Sequence, residues 1–241
     1  MEQLEGQKIE WSEQLWRYFG TERFLELLST SSLYFAAATQ FEDNFEGAVA
    51  IQDADFPVDP RYAKPDPTET AFEELKRLTK ISCWHIANFE SDAMWKLYAN
   101  LKKGIAITTT PERLKKALTP YRIKPEYAAE RTYCGNVTYV DLLAERLKTG
   151  MLPRFYYKHR AFEWEREFRL AISLRSAEEF GVNVPEKGIS VQLDLNELID
   201  KIYVGPALSS DHIEKVKEAC QAAGLSKEFT KSSLLGRPRF I

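Results

Sequence analysis

The chain has 241 residues, of which 44% are hydrophobic, 12% aromatic and 29% charged, enough apolar material to bury a sizeable core. Its 33 Lys and Arg against 36 Asp and Glu leave 33 − 36 = −3, which excludes a protein whose whole surface clamps nucleic acid but allows a local basic groove. With 11 Gly and 11 Pro, collagen-like repeats and global disorder are excluded as well.

Cys83, Cys134 and Cys220 are far apart and form no C-x-x-C pair, so neither a disulfide scaffold nor a zinc ribbon is indicated. The acidic start Met1-Glu-Gln-Leu-Glu-Gly6 is unlike a signal peptide, and no apolar run nears the roughly 20 residues of a membrane span. A cytoplasmic protein without a membrane anchor is expected.

In chain order, Leu15 to Phe19 reads as a strand ending at Gly20. Thr21 is placed to cap a helix whose stripe is Phe24, Leu25, Leu27 and Leu28. Leu33 to Ala37 is a second strand, followed by a polar loop from Gln40 to Gly47. The stretch 56–69 carries Pro57, Pro60, Pro65 and Pro67 and reads as an irregular surface insertion. A short helix from Phe72 to Leu78 leads into a buried strand from Ile81 to Trp84. Met94, Trp95 and Tyr98 share helical spacing. Gly104 to Thr108 reads as a strand, and Thr110-Pro111 as a cap with proline at the first helical position. Further strands are expected over Asn136 to Val140, Glu167 to Ile172 and Lys201 to Val204. A last helix opens near Ser210-Asp211, with Asp211 and Glu214 as a capping pair and Ile213, Val216, Cys220 and Ala223 on one face. Strands scattered among short helices indicate a single α+β domain over 1–241, its sheet mixed or mainly antiparallel.

The segment with most chemistry is Lys158 to Ile172. If its second half is extended, Trp164, Arg166, Phe168, Leu170 and Ile172 share one face and Glu165, Glu167 and Arg169 the other. Neighbouring carboxylates raise one another's pKa and an adjacent Arg lowers both, which suits a site that holds or forms a cation. The plainer reading is the wet face of an edge strand. A second cluster, Asp43, Asn44 and Glu46, suits Mg²⁺ or a sugar hydroxyl, or simply a turn. Trp95 or Tyr98 offers a ring to stack on a nicotinamide or nucleobase, although such stripes are more often core. Arg17 and Tyr18 close the first strand, where Arg can fork onto a phosphate. The three histidines are scattered, Cys83 sits in an apolar run, and P-loop, dinucleotide-binding and nucleophile-elbow signals are absent.

Taken in order, L-W-R-Y-F at 15–19, F-E-D-N-F-E-G at 41–47, S-C-W-H at 82–85, M-W-K-L-Y-A at 94–99 and K-H-R-A-F-E-W-E-R-E-F-R-L at 158–170 resemble a bacterial family called domain of unknown function 2971. The chain departs from that pattern in the order of Asp43 and Asn44 and in having Phe168 where the family has Trp. The order of strand, helix, strand and late E-x-E strand also resembles ADP-ribosyltransferase-like folds. That resemblance implies NAD as substrate and no metal, with Glu167 or Glu165 on the ribose as the catalytic carboxylate. It implies Arg17 and Tyr18 at the phosphate or ribose, Trp95 or Tyr98 on nicotinamide, and Asn44 and Arg169 completing the site. A nucleic-acid or protein acceptor follows by the same analogy, in a toxin or phage-defence effector. Two other classes stand beside it: a Mg²⁺-dependent nuclease using Asp43, Glu46, a late Glu and Lys158, and a binding module without catalysis.

Overall fold

The structure, a computed structural model, describes residues 1–50 and 67–240. The elements in chain order are β1 (Glu2–Gln3), β2 (Leu15–Phe19), α1 (Thr21–Thr30), β3 (Ser32–Ala37), α2 (Pro67–Leu78) and β4 (Thr79–Ile86). After these come α3 (Asp92–Tyr98), β5 (Ile105–Thr109), α4 (Pro111–Ala117), β6 (Thr132–Asn136), β7 (Thr138–Val140), β8 (Tyr157–His159) and β9 (Glu167–Ser173). The chain continues with α5 (Arg175–Glu179), β10 (Ile189–Gln192), α6 (Leu195–Leu198), β11 (Lys201–Val204), α7 (Ser210–Ala222) and β12 (Phe229–Lys231). Short 3-10 helices lie at Ala38–Gln40, Pro153–Tyr156, Arg160–Glu165 and Ser233–Leu235. The class is α+β, with mixed, mainly antiparallel strands and several short helices. The proline-rich insertion expected at 56–69 lies outside the described residues up to Asp66; Pro67 opens α2, where its fixed φ suits the first helical turn.

The chain forms two compact units. The first holds residues 1–8, 34–83 and 120–190. In it β1 runs parallel to β6, and β6 pairs antiparallel with β9 in a register that sets Gly135 opposite Arg169 and Cys134 opposite Leu170. β9 is an inner strand, with β6 on one side and β4 on the other, so Glu167 to Ile172 are all buried. β3 meets β4 at Ala36–Ile81 and Ala37–Lys80, and β7 and β8 form a separate parallel pair. Leu4, Ala38, Ile81, Phe155, Tyr156 and Ala171 make a core here. Lys80 is also fully buried, and its ammonium donates to the carbonyls of Arg77, Pro185 and Lys187 at 2.7, 2.6 and 2.5 Å. Those three bonds replace the water that burial removes.

The second unit holds residues 9–33, 84–119 and those from 191 on. β5 lies between β2 and β11, antiparallel to both, and β12 adds parallel to β11. Trp16, Tyr18, Met94, Trp95, Ala99 and Ala106 pack as its aromatic core. Thr110 caps α4 as expected, its side chain accepting from the Arg113 N–H at 3.2 Å. Two other expected caps are absent. Thr21 is the first residue of α1, behind Gly20, and its hydroxyl donates to the Lys103 carbonyl. Asp211 and Glu214 form no capping pair; the Ser209 hydroxyl instead meets Nδ1 of His212 at 2.7 Å. α3 ends in three consecutive left-handed residues, Asn100, Leu101 and Lys102, with φ of 47°, 55° and 72°. The reversal carries the chain to Gly104, where an added Cβ would lie 1.9 Å from the Phe19 carbonyl oxygen.

Because the obstacle at Gly104 is backbone, Gly104→Ala is expected to destabilise the chain by about 2–4 kcal/mol. Urea unfolding measures this; a loss under about 0.5 kcal/mol would show that β2 and the α3–β5 turn separate at little cost.

Candidate functional site

The late acidic segment is not one continuous strand. Residues Arg160–Glu165 turn as a 3-10 helix, started by His159, whose Nδ1 accepts from the Ala161 N–H at 3.2 Å. Arg166 is left-handed at φ 41°, and only from Glu167 is the chain extended. The expected alternation therefore fails before Glu167: Trp164 and Arg166 are exposed while Phe168, Leu170 and Ile172 are buried. The wet-edge alternative fails as well, because β9 is an inner strand and Arg169 is wholly buried. The backbone of Glu167 is held on both sides, its N–H donating to the Tyr139 hydroxyl and its carbonyl accepting from the Val137 N–H, each at 2.8 Å.

The turn brings Glu165 back beside Glu167 through Lys158 of β8. The Lys158 ammonium donates to Glu167 Oε1 at 2.8 Å and to Glu165 Oε2. Arg169 donates from Nε to Glu167 Oε2 at 2.8 Å and from Nη2 to Glu167 Oε1 at 3.1 Å. Its other edge grips Glu46 from the polar loop, Nη1 to Oε1 at 2.5 Å and Nη2 to Oε2 at 3.0 Å, while Nη1 also reaches the Phe155 carbonyl at 2.6 Å. Glu46, Arg169, Glu167, Lys158 and Glu165 form a buried chain of alternating charge, each 6% exposed or less. Phe162 lies over the Lys158 ammonium at 4.6 Å, and Phe41 over the Arg169 guanidinium at 5.7 Å.

Two cations and three carboxylates leave one negative charge too many for a buried cluster, and the proton that corrects this rests on Glu165. Burial raises the Glu165 pKa, and its hydrogen bond to Glu167 and that residue's charge raise it further, to about 7, against the opposing pull of Lys158. Burial also acts on Glu167, but Arg169 and Lys158 more than reverse it and hold the carboxyl well below the usual range. Glu165 and Glu167 thus share a proton, Glu165 as donor. Burial lifts Glu46 and Arg169 offsets part of that rise. The Cys83 thiol, pushed up by burial and by Glu167, stays protonated.

Of the residues expected to form a site, Asn44, Glu165, Glu167 and Arg169 belong to the first unit and Arg17, Tyr18, Trp95 and Tyr98 to the second. Arg169 and both glutamates meet, whereas Asn44 is an exposed loop residue. Arg17 lies against the rings of Phe19 and Trp84 at 5.5 and 5.4 Å. Tyr18 is buried, accepting from the Ser91 N–H at 2.9 Å, with its ring edge-on to Trp95. Trp95 has no exposed surface, and its indole N–H donates to Glu90 at 2.8 Å, so neither ring face is open to a ligand; Tyr98 is about half exposed. Asp43 turns its loop by accepting from the Phe45 N–H at 2.9 Å, and Oδ2 has no partner among the described residues. Among the described residues no three His, Cys, Asp or Glu gather to hold a metal ion. Likewise among them, no helix is long and apolar enough to cross a membrane. Tyr139 and the Phe155 carbonyl were not legible as site groups, since nothing in their local sequence marks them.

A family model described as Protein of unknown function (DUF2971) matches residues 94–170, about a third of the chain, and that domain is present there. The matched stretch includes Lys158, Glu165, Glu167 and Arg169. No curated protein and no solved structure matches the chain, so the resemblance to ADP-ribosyltransferases has no counterpart in these comparisons.

A carboxyl whose pKa rises on folding, from 4.5 to about 7, stabilises the fold fully below pH 4.5 and loses that contribution as pH rises through 7. Glu165→Gln removes this dependence. The stability of the variant minus that of the wild type should therefore rise by about 3 kcal/mol between pH 4.5 and pH 8. Urea unfolding at several pH values reads it, and a flat difference would show that Glu165 does not hold the proton.

Proposed function

We propose that the chain is an ADP-ribosyltransferase-like enzyme that uses NAD as substrate and passes ADP-ribose to a nucleic-acid or protein acceptor. The observation that carries this reading is the proton-sharing pair of Glu165 and Glu167 set between two cations. Two carboxylates whose environments push their pKa values apart are the arrangement that general acid–base chemistry at a glycosidic carbon requires. Both oxygens of Glu167 already accept from Lys158 or Arg169, so its part is to position Glu165 and hold its proton. Glu165 is the group that meets substrate.

In the reaction the bond between ribose C1′ and the nicotinamide nitrogen breaks, and its electron pair leaves with nicotinamide. The ribose becomes oxocarbenium-like, a cation that an ionised Glu165 stabilises more in the transition state than in the ground state. The acceptor oxygen or nitrogen then bonds to C1′, and its proton passes to Glu165, whose pKa of about 7 suits both states near neutrality. Phe162 and the half-exposed Trp164 stand beside Glu165 in the chain and offer aromatic surface for the leaving ring. The nuclease reading is less well supported, because Arg169 occupies both oxygens of Glu46 and Asp43 turns its own loop.

Nicotinamide release from NAD, with and without nucleic acid or cell lysate, tests this. The wild type should release it with an acid limb near pH 7, and Glu165→Gln should lose about 10²-fold or more while still folded. Glu167→Gln should lose activity and also shift that limb. Absence of release from the wild type under every condition would overturn the proposal.

A further inference from the structure

Next to the charged chain, the 3-10 helix Pro153–Tyr156 carries another cation, Arg154. Its neighbour Phe155 is locked in place: the Phe155 carbonyl accepts from Arg169, and its ring lies so close to Gly47 that an added Cβ there would sit 2.6 Å away. The Arg154 side chain lies over Phe72 of α2, guanidinium carbon 5.3 Å from the ring centroid, and the Lys76 ammonium stands 5.3 Å from the same centroid. Among the described residues no carboxylate pairs with Arg154, and its Nε is buried without an acceptor. Burial lowers its pKa, and no neighbouring anion raises it back. Other arginines of the same unit are committed, Arg77 to Glu74, Glu178 and Glu186, and Arg175 to Glu179. A desolvated guanidinium N–H with no acceptor is costly to the fold and is relieved by an anion that brings oxygens to it.

We propose that Arg154 and Lys76, arranged on the Phe72 ring, form an anion site for the phosphate group of an organic phosphate. The ring orients the planar fork of Arg154 so that it presents two N–H groups to two oxygens. A second cation on the same ring favours a doubly charged group over a carboxylate. Lys76 is paired at 2.9 Å with Glu73, but that carboxylate is 60% exposed, and such surface pairs exchange readily for a stronger anion. If the proposed function holds, this site takes the diphosphate of NAD, a role the sequence pattern had given to Arg17; that link rests on the transferase reading, while the anion site itself does not.

The test is calorimetric titration of the full chain at low salt with ribose, pyrophosphate, AMP and ADP-ribose, followed also by the Nε–H signal of Arg154 in side-chain NMR. Pyrophosphate and ADP-ribose should bind saturably and move that signal, and ribose should not. Arg154→Gln should weaken binding about tenfold or more and Arg154→Lys less, since the lysine keeps charge without the fork. Arg154→Gln should melt no lower than the wild type, because no bond within the fold is lost. Failure of every phosphate probe to bind, binding unchanged in Arg154→Gln, or a melting point several degrees lower in that variant would overturn the site. Phosphate binding that needs Arg154 in a protein that releases no nicotinamide keeps the site and removes the transferase. Release with an unchanged KM for NAD in Arg154→Gln does the reverse.

Discussion

The first unit is organised around a guanidinium that has lost all its water. Arg169 has no exposed surface, and burying a cation is affordable only when its donors are met. The chain meets them with Glu46 from the polar loop, Glu167 from its own strand and the Phe155 carbonyl from a 3-10 helix, three segments drawn to one point. Removing one partner of such a cluster typically costs about 3–5 kcal/mol, because the others are left charged in a dry interior. This requirement explains why the loop at 43–47 is fixed, although its composition is that of a turn.

The same accounting settles where the odd charge goes. Glu46, Arg169, Glu167 and Lys158 are neutral together, and the fifth member, Glu165, carries its proton until about pH 7. A cluster whose only purpose was rigidity would have no need of the fifth member. Its presence leaves one exchangeable proton in an otherwise fixed constellation, which is the property a catalytic site needs and a structural ion pair lacks.

The second unit solves its polar problem at a carboxylate. Glu90 accepts from the Trp95 indole N–H at 2.8 Å, from the Ser232 hydroxyl at 2.6 Å, from the Ser233 N–H at 2.6 Å and from the Ser233 hydroxyl. Burial alone would raise its pKa, but these donors hold it below the usual carboxylate value. One side chain thereby joins the aromatic core around Trp95 to the C-terminal segment after β12. The lone-pair demand of Glu90 and the N–H supply of Arg169 are mirror-image constraints, and each unit is tied together by satisfying one of them.

Local patterns determined much of the fold. The alternation and β-branched content of β2, β5 and β11, the Thr110-Pro111 start of α4, the stripe of α7 and the α+β class are consequences of period, cap chemistry and turn residues within a few positions. The glutamates at 165 and 167 also stood out, as charges in an apolar setting. Tertiary structure decided their arrangement. The left-handed Arg166 broke the stripe, so that Glu165 reached Glu167 through Lys158 rather than along a strand. Glu46 came from 123 residues away, and Trp95, legible as a stacking ring, was claimed by the core. Periodicity reports which face a residue shares with its neighbours in the chain; which charges end together depends on desolvation, and that exists only once distant segments have closed around them.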